Sequence, residues 1–260
     1  MVHRFTIITV CFNSENMIER TIRSLLDQDF NDYEYIIKDG NSSDNTQDII
    51  NSLISESDSV HIISSNDKGI YDAMNIAIAS ATGEYIYFLN AGDQFTDRSV
   101  LTDMDRELKV FPSDIIYGNV RFIGNDRIVL RKYGKMCSNK IYYLIGDSIC
   151  HQAIFAKREL LQERAFDLSY KVCADREWLL YCIKMKFSFK SVMCVVSDVL
   201  VEGYSTSHID EFEAETKKCI NQYCRESSWL YCIISGLKKN KLMLNFFRLV
   251  EKLLFCSKTR

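Results

Sequence analysis

The chain has 260 residues, of which 47% are hydrophobic and 26% charged, and a formal net charge of −3. That balance describes one large globular domain, or one with an appendage, and excludes a disordered chain. The weak negative charge gives no reason to expect a nucleic-acid partner, and the ten scattered cysteines contain no C-x-x-C pair, so they read as reduced core residues, not as a metal cluster.

The first four residues run straight into an apolar stretch at 5–10. It is too short for a signal peptide or a membrane span, so a cytoplasmic protein is expected. Charge is placed unevenly. Residues 236–260 hold five Lys, two Arg and one Glu, a net +6, and the other 235 residues carry −9. That asymmetry marks the C-terminus as a separate element.

Residues 5–10 predict a buried strand. Cys11, Phe12 and Asn13 leave it, and Ser14 is placed to cap a helix with Glu15 in its first turn. Ile18, Ile22, Leu25 and Leu26 form that helix's stripe. Residues 33–38 predict a second strand. It ends in Asp39-Gly40-Asn41-Ser42-Ser43-Asp44, a dense run of turn and cap residues. A helix to about residue 54 and a strand over 60–64 follow. Ile70, Met74, Ala77 and Ile78 stand at i, i+4, i+7 and i+8 and predict a third helix, with Gly83 at its C-cap. Residues 85–89 are a continuous apolar run, the pattern of a strand buried on both faces. It stops at Asn90-Ala91-Gly92-Asp93. The order βαβαβαβ predicts an α/β fold with a parallel sheet and right-handed crossovers. Ligands bind such a sheet beyond the carboxyl ends of its strands.

After Asp93 the alternation stops. A strand is expected at 114–117. Gly124-Asn125-Asp126 between two apolar runs signals a hairpin. Residues 150–155 lead to a short helix over 157–163. Residues 174–186 read as a helix with Trp178 and Tyr181 or Cys182 facing inward. Residues 189–201 are extended and end in Glu202-Gly203-Tyr204-Ser205. From residue 210 the chain reads as helices.

The turn after the first strand lacks G-x-G-x-x-G, so a dinucleotide-binding domain is set aside, and there is no phosphate-binding P-loop. The ordered pieces that remain are Asn13 after the first strand, Asp39 to Asp44, Gly69 with Asn75, Gly83-Glu84-Tyr85-Ile86, and the strand-end acid Asp93. Over residues 4–205 this set resembles the family 2 inverting glycosyltransferases. It looks most like the branch that builds bacterial O-antigen and capsule. There Asp67-Lys68-Gly69-Ile70-Tyr71-Asp72-Ala73-Met74-Asn75, His151-Gln152 and Ala174-Asp175 have counterparts in the same order.

The resemblance implies a GT-A fold, a mostly parallel sheet flanked by helices, over residues 1–208, with a helical appendage at 209–260. It implies that Asp39 accepts a hydrogen bond from the uracil of a UDP-sugar; the plainer reading is an Asx turn, a job Asp44 could do alone. Asn13, Lys68, Gly69, Asp72, Asn90 and Gly92 would line the nucleotide-sugar. Asp93 would hold Mn²⁺ or Mg²⁺, although the family's Asp-Ala-Asp-Asp reads Asn90-Ala91-Gly92-Asp93 here and leaves one carboxylate. Asp175 would be the catalytic base, against the plainer reading of an acid favoured by a helix N-terminus. Glu177 is its fallback and otherwise a solvated residue. His151, Gln152 and Ser205 would face the acceptor or the diphosphate. Met74 replaces a common Arg, so no phosphate contact is assigned there. Tyr142, Tyr143 and Tyr170 are core residues or sugar-stacking platforms.

The function so implied is transfer of a hexose, galactose or glucose first, from a UDP-sugar to a diphosphoundecaprenyl-linked saccharide. The alternatives are a non-catalytic nucleotide-sugar-binding partner and a nucleotidyltransferase. In the C-terminal segment, Leu242, Phe246, Leu249, Val250 and Leu253 share one helical face, and Lys241, Arg248 and Lys252 share the opposite one. Such a helix is expected to lie in the membrane interface and hold the protein on the inner face of the cell membrane. The alternative is that it packs on the catalytic domain or on a second copy, as in a homodimer.

Overall fold

The computed structural model describes residues 2–54, 59–124, 127–133, 148–200 and 208–223. Strands β1 (Phe5–Cys11), β2 (Tyr33–Asp39), β3 (Val60–Ser64) and β4 (Tyr85–Phe88) alternate with helices α1 (Ile18–Leu26), α2 (Thr46–Leu53) and α3 (Ile70–Ser80). The four strands pair in parallel in the order β3-β2-β1-β4. Every residue of β1 and β4 is buried. The apolar runs are continuous because both faces are covered. Ile8, Val10, Ile36, Ile86 and Phe88 join one core. Phe5, Ile7, Tyr35, Ile37, Tyr85 and Tyr87 join the other, as the two-residue period of a strand requires.

The chain then continues the sheet with mixed strands. These are β5 (Gln94–Phe95), β6 (Ile115–Ile123), β7 (Ile128–Arg131), β8 (Ile154–Lys157) and β9 (Phe189–Leu200). β8 lies antiparallel between β4 and β6, and β9 runs parallel to β6 and antiparallel to β5. The predicted hairpin is β6–β7, with Ile123 opposite Ile128. Helices α4 (Val100–Val110), α5 (Arg158–Glu163), α6 (Ala174–Lys184) and α7 (Ile209–Tyr223) complete the described structure. The sequence reading did not place β5, β8 or α4. β5 has two residues, too few to show a period, and β8 runs directly into α5. α4 does carry a helical stripe, buried at Val100, Leu101, Met104 and Leu108.

Several local expectations are corrected. α1 begins at Ile18, not at Ser14, whose carbonyl instead accepts the N–H groups of Met17 and Ile18 in a preceding turn. α3 ends at Ser80 with Ala81 at its C-cap, so Gly83 is not the cap. Gly83 is there for close approach: a Cβ would stand 2.7 Å from the Phe5 backbone. Glu177 is fully buried, not solvated, in an ion pair with Arg164 and a hydrogen bond from Tyr223. Tyr170 follows the plainer of its two readings: it is a core residue, and its hydroxyl bonds Gln222.

Glu34 shows how the parallel half is pinned. Its buried carboxylate accepts Thr6 Oγ1, both donors of Thr82 and the Gly83 N–H. Burial works to raise its pKa, but these donors outweigh burial and hold it below the ordinary glutamate value. Glu34→Ala strands the Thr82 N–H and leaves the Gly83 N–H with Thr6 Oγ1 alone, and it is expected to cost about 2 kcal/mol in denaturant unfolding. A folded pKa below the unfolded one contributes stability above the ordinary value, lost as pH falls through the folded value. Glu34→Ala should therefore flatten the acid limb of stability.

α7 packs on α6, and its Cys219, Ile220 and Tyr223 enter the same core as β1 and β4. The expected boundary after residue 208 thus precedes a helix that belongs to this core. Among the described residues no helix is long and apolar enough to cross a membrane. The basic amphipathic segment from Lys241 lies outside the described residues.

Candidate active site

The carboxyl ends of β1, β2 and β4 converge on one edge, and the turn after β4 forms its floor. Gly92 has φ +98°, and a Cβ there would meet Leu200 at 3.0 Å, so only glycine suits the turn. Buried Thr21 on α1 fixes it. Its hydroxyl donates to the Asp93 carbonyl at 2.8 Å and accepts the Gly92 N–H at 2.9 Å. The Asp93 side chain is 5% exposed and meets only neutral donors, Gln152 Nε2 and the Leu200 N–H, each at 3.3 Å. Burial raises its pKa to about 6, against the opposing pull of His151. Asn90 Oδ1 is buried and has no hydrogen-bond partner.

Next to the floor stands a chain of side chains. Asn90 Nδ2 lies 2.9 Å from His151 Nε2, and His151 Nδ1 lies 3.1 Å from Asp175 Oδ2. With the amide donating to Nε2, the ring proton sits on Nδ1 and faces the carboxylate. Tyr71 shares its hydroxyl between Asp175 Oδ1 and the Val172 carbonyl, both at 2.9 Å. The His151–Gln152 turn is itself held. Tyr87 and Ser197 both donate to the Gln152 carbonyl. Burial works to raise the pKa of Asp175, but His151 and Tyr71 outweigh it and hold the carboxyl below the usual range. Its side chain keeps 23% of its surface exposed, enough for a hydroxyl to reach it. An apolar pocket lined by Phe88, Ile149, Phe166 and Trp178 backs the pair.

The other side of the edge is stitched from loops. Asn13, at φ +47°, accepts the Ser43 N–H and donates its own N–H to Ser42 Oγ. Asp39 is wholly buried, and its carboxylate accepts the Ser42 N–H and hydroxyl, Gln47 Nε2 and the Cys11 thiol. Burial works to raise its pKa, but the Ser42 and Gln47 donors outweigh it and keep the pKa low. Asp44 accepts the Thr46 N–H in an Asx turn just before α2, whose N-cap is Asn45, so both acids build turns in this loop. Fully buried Lys38 joins the Asp39 and Ser65 carbonyls to Asp67. Asp67 accepts the N–H of Gly69, whose φ of +123° starts α3, and Asp72 accepts the N–H of Lys68. Lys68 is exposed. Asn75 is a structural tether, bonded both ways to the Phe166 backbone.

A family model described as Glycosyl transferase family 2 matches residues 6–164. The chain belongs to glycosyl transferase family 2. A PGL/p-HBAD biosynthesis glycosyltransferase of Mycobacterium bovis is 30% identical over 204 residues, 77% of this chain and 76% of that relative. Among solved structures, S. aureus TarS 1–349 in complex with UDP-GlcNAc is similar with a TM-score of 0.68 at 19% identity, over 85% of this chain and 67% of that one. A mannosyltransferase from Pyrobaculum calidifontis in complex with GDP-Man and Mn²⁺ is similar with a TM-score of 0.65 at 17% identity, over 86% of this chain and 65% of that one. These two likenesses establish the GT-A fold.

For a family 2 transferase the residues at the floor fit a divalent cation. A buried carboxylate opposed only by neutral donors and an orphaned amide oxygen are both oxygen ligands in want of positive charge. Among the described residues no group of three His, Cys, Asp or Glu could hold a metal alone. The remaining ligands would be diphosphate and water. The structure thus brings Asn90, Gly92, Asp93, His151, Gln152 and Asp175 together, and sets Asn13, Asp39, Lys68, Gly69 and Asp72 in the neighbouring loops. Ser205, Tyr142 and Tyr143 lie outside the described residues. Sequence reasoning missed Thr21, Tyr71 and Phe12. Tyr71 stood inside a recognised motif, one residue before Asp72. Phe12 is 62% exposed and lies against Gly40, where a Cβ would come within 3.1 Å of its ring.

Proposed function

We propose that this transferase moves one hexose, with inversion, from a UDP-sugar to a hydroxyl of a lipid-linked saccharide during assembly of a bacterial surface glycan. The observation that carries the reading is Asp175, a partly exposed carboxylate held ionised by His151 and Tyr71 one step from the Asp93 floor. Asp175 takes the proton of the acceptor hydroxyl as its oxygen bonds the anomeric carbon. The bond from that carbon to the diphosphate breaks in the same step, and UDP leaves. An α-linked donor gives a β product, with no covalent enzyme intermediate. A cation held by Asp93 and Asn90 Oδ1 would supply charge to the diphosphate. The basic C-terminal segment would keep the enzyme beside an acceptor that cannot leave the membrane.

On the nucleotide side, Phe12 stacks on the base, and uracil N–H replaces Gln47 on Asp39. One donor is exchanged for another, so the step costs little. Gln47→Ala removes the competitor and is expected to tighten UDP binding by about fivefold, the equivalent of about 1 kcal/mol, in calorimetry. Unchanged or weaker binding would show that Asp39 serves the loop alone.

The reading is tested by incubating the protein with radiolabelled UDP-glucose or UDP-galactose and a diphosphoundecaprenyl-linked saccharide. Label in the lipid extract is expected. Bound nucleotide without transfer would indicate a binding partner, and pyrophosphate released in a parallel incubation with UTP and glucose 1-phosphate would indicate a nucleotidyltransferase.

A further inference from the structure

α7 holds the catalytic carboxylate from behind. Glu215 on α7 accepts three successive backbone N–H groups, from Lys171 at 2.7 Å and from Val172 and Cys173 at 2.9 Å. These residues lead directly into α6, whose N-cap Cys173 makes no side-chain cap. Successive N–H groups converging on one carboxylate form an anion nest, and hydrogen bonds to a charged acceptor are the strong kind. A distant helix therefore caps α6 where α6 cannot cap itself.

The grip reaches the candidate base through one residue. Val172 is held on both sides, its N–H by Glu215 and its carbonyl by Tyr71. The same Tyr71 hydroxyl holds Asp175 Oδ1. A shift of Val172 moves the hydroxyl that orients the carboxylate and the first turn that carries it. Arg176 adds a second tie, donating to the buried Thr216 hydroxyl next to Glu215. We infer that Glu215 is a positioning residue for Asp175, so that the turn of α7 at Glu215 supports the catalytic site. This rests on the reading of Asp175 as the base.

Misplacing a reacting group by about 1 Å can cost about 100-fold in rate. Glu215→Ala is therefore expected to lower kcat for UDP release by about 100-fold, with KM for the UDP-sugar within about twofold. Glu215→Gln keeps one oxygen for Val172 and Cys173, and the exposed Lys171 N–H can turn to water; it should retain kcat within about threefold. Tyr223→Phe is the packing control. It removes a hydroxyl from the Glu177–Arg164 network, eight residues along α7 from Glu215, and makes no bond to residues 171–173. It should lower Tm and leave kcat unchanged. Hydrogen exchange at Val172 and Cys173 should quicken in Glu215→Ala and not in Tyr223→Phe. Full activity in Glu215→Ala, or equal losses of kcat in Glu215→Ala and Tyr223→Phe, would overturn the positioning role. Asp175→Asn run alongside separates the two layers. If it stays active, the base assignment fails; if it is inactive while Glu215→Ala is active, only the positioning role fails.

Discussion

Asp175→Asn is expected to lower turnover by about 10²–10⁴-fold and to leave UDP-sugar binding nearly unchanged. The variant can fold without stranding a polar group. The amide oxygen can accept the His151 Nδ1–H. The new N–H₂ then faces the Tyr71 hydroxyl, which accepts it while still donating to the Val172 carbonyl. Asn90 keeps its contact with His151 Nε2 and leaves Oδ1 in place at the floor. The loss therefore reports the missing base and not a broken site. The measurements are kcat, KM and the affinity for UDP. Near-normal turnover of the folded variant would sink the assignment. The pH profile adds a sign. A carboxyl held below its usual range stays ionised as pH falls past the ordinary aspartate value, so the acid limb due to this group lies below that value.

The N-terminal half of the fold was legible because each of its elements repeats one period long enough to read. β1, β2 and β4 are buried on both faces, so their apolar runs are unbroken. The C-terminal half was harder. Two-residue β5 shows no period, and β8 is strand only because β4 and β6 flank it. The acids at the site were legible by type and place, Asp93 after a strand and Asp175 in a first turn. Their partners were not. Tyr71 meets Asp175 across 104 positions of sequence, and Glu215 meets Val172 across 43. Only the assembled sheet brings such pairs together. Asp39 carries two readings at once. The resemblance implied a ligand contact, and the backbone uses the carboxylate to build the loop.

Removing the charge at the floor is the other large effect. Activity is expected to vanish in EDTA and return with Mg²⁺ or Mn²⁺, and Asp93→Ala is expected to lose about 10²–10³-fold in kcat. Asp93 is almost wholly buried, and no cationic side chain bonds it. Burying a carboxylate on neutral donors is costly, and its pKa near 6 records that cost. A cation would relieve it and would satisfy Asn90 Oδ1 as well. One carboxylate and one amide oxygen make a weak site alone, so calorimetry should detect little metal binding until UDP adds its phosphate oxygens. The pH sign is fixed by the raised pKa. Asp93 is a neutral acid below about 6 and ionised above it, so metal dependence should weaken in affinity as pH falls through that range. Asn90→Asp restores one of the two carboxylates that this chain lacks relative to the family pattern and should bring metal binding forward, to the enzyme without nucleotide. Full activity of Asp93→Ala in EDTA would give the leaving-group charge to a basic side chain instead, with Arg20, whose charge already acts on Asp93, the first to test.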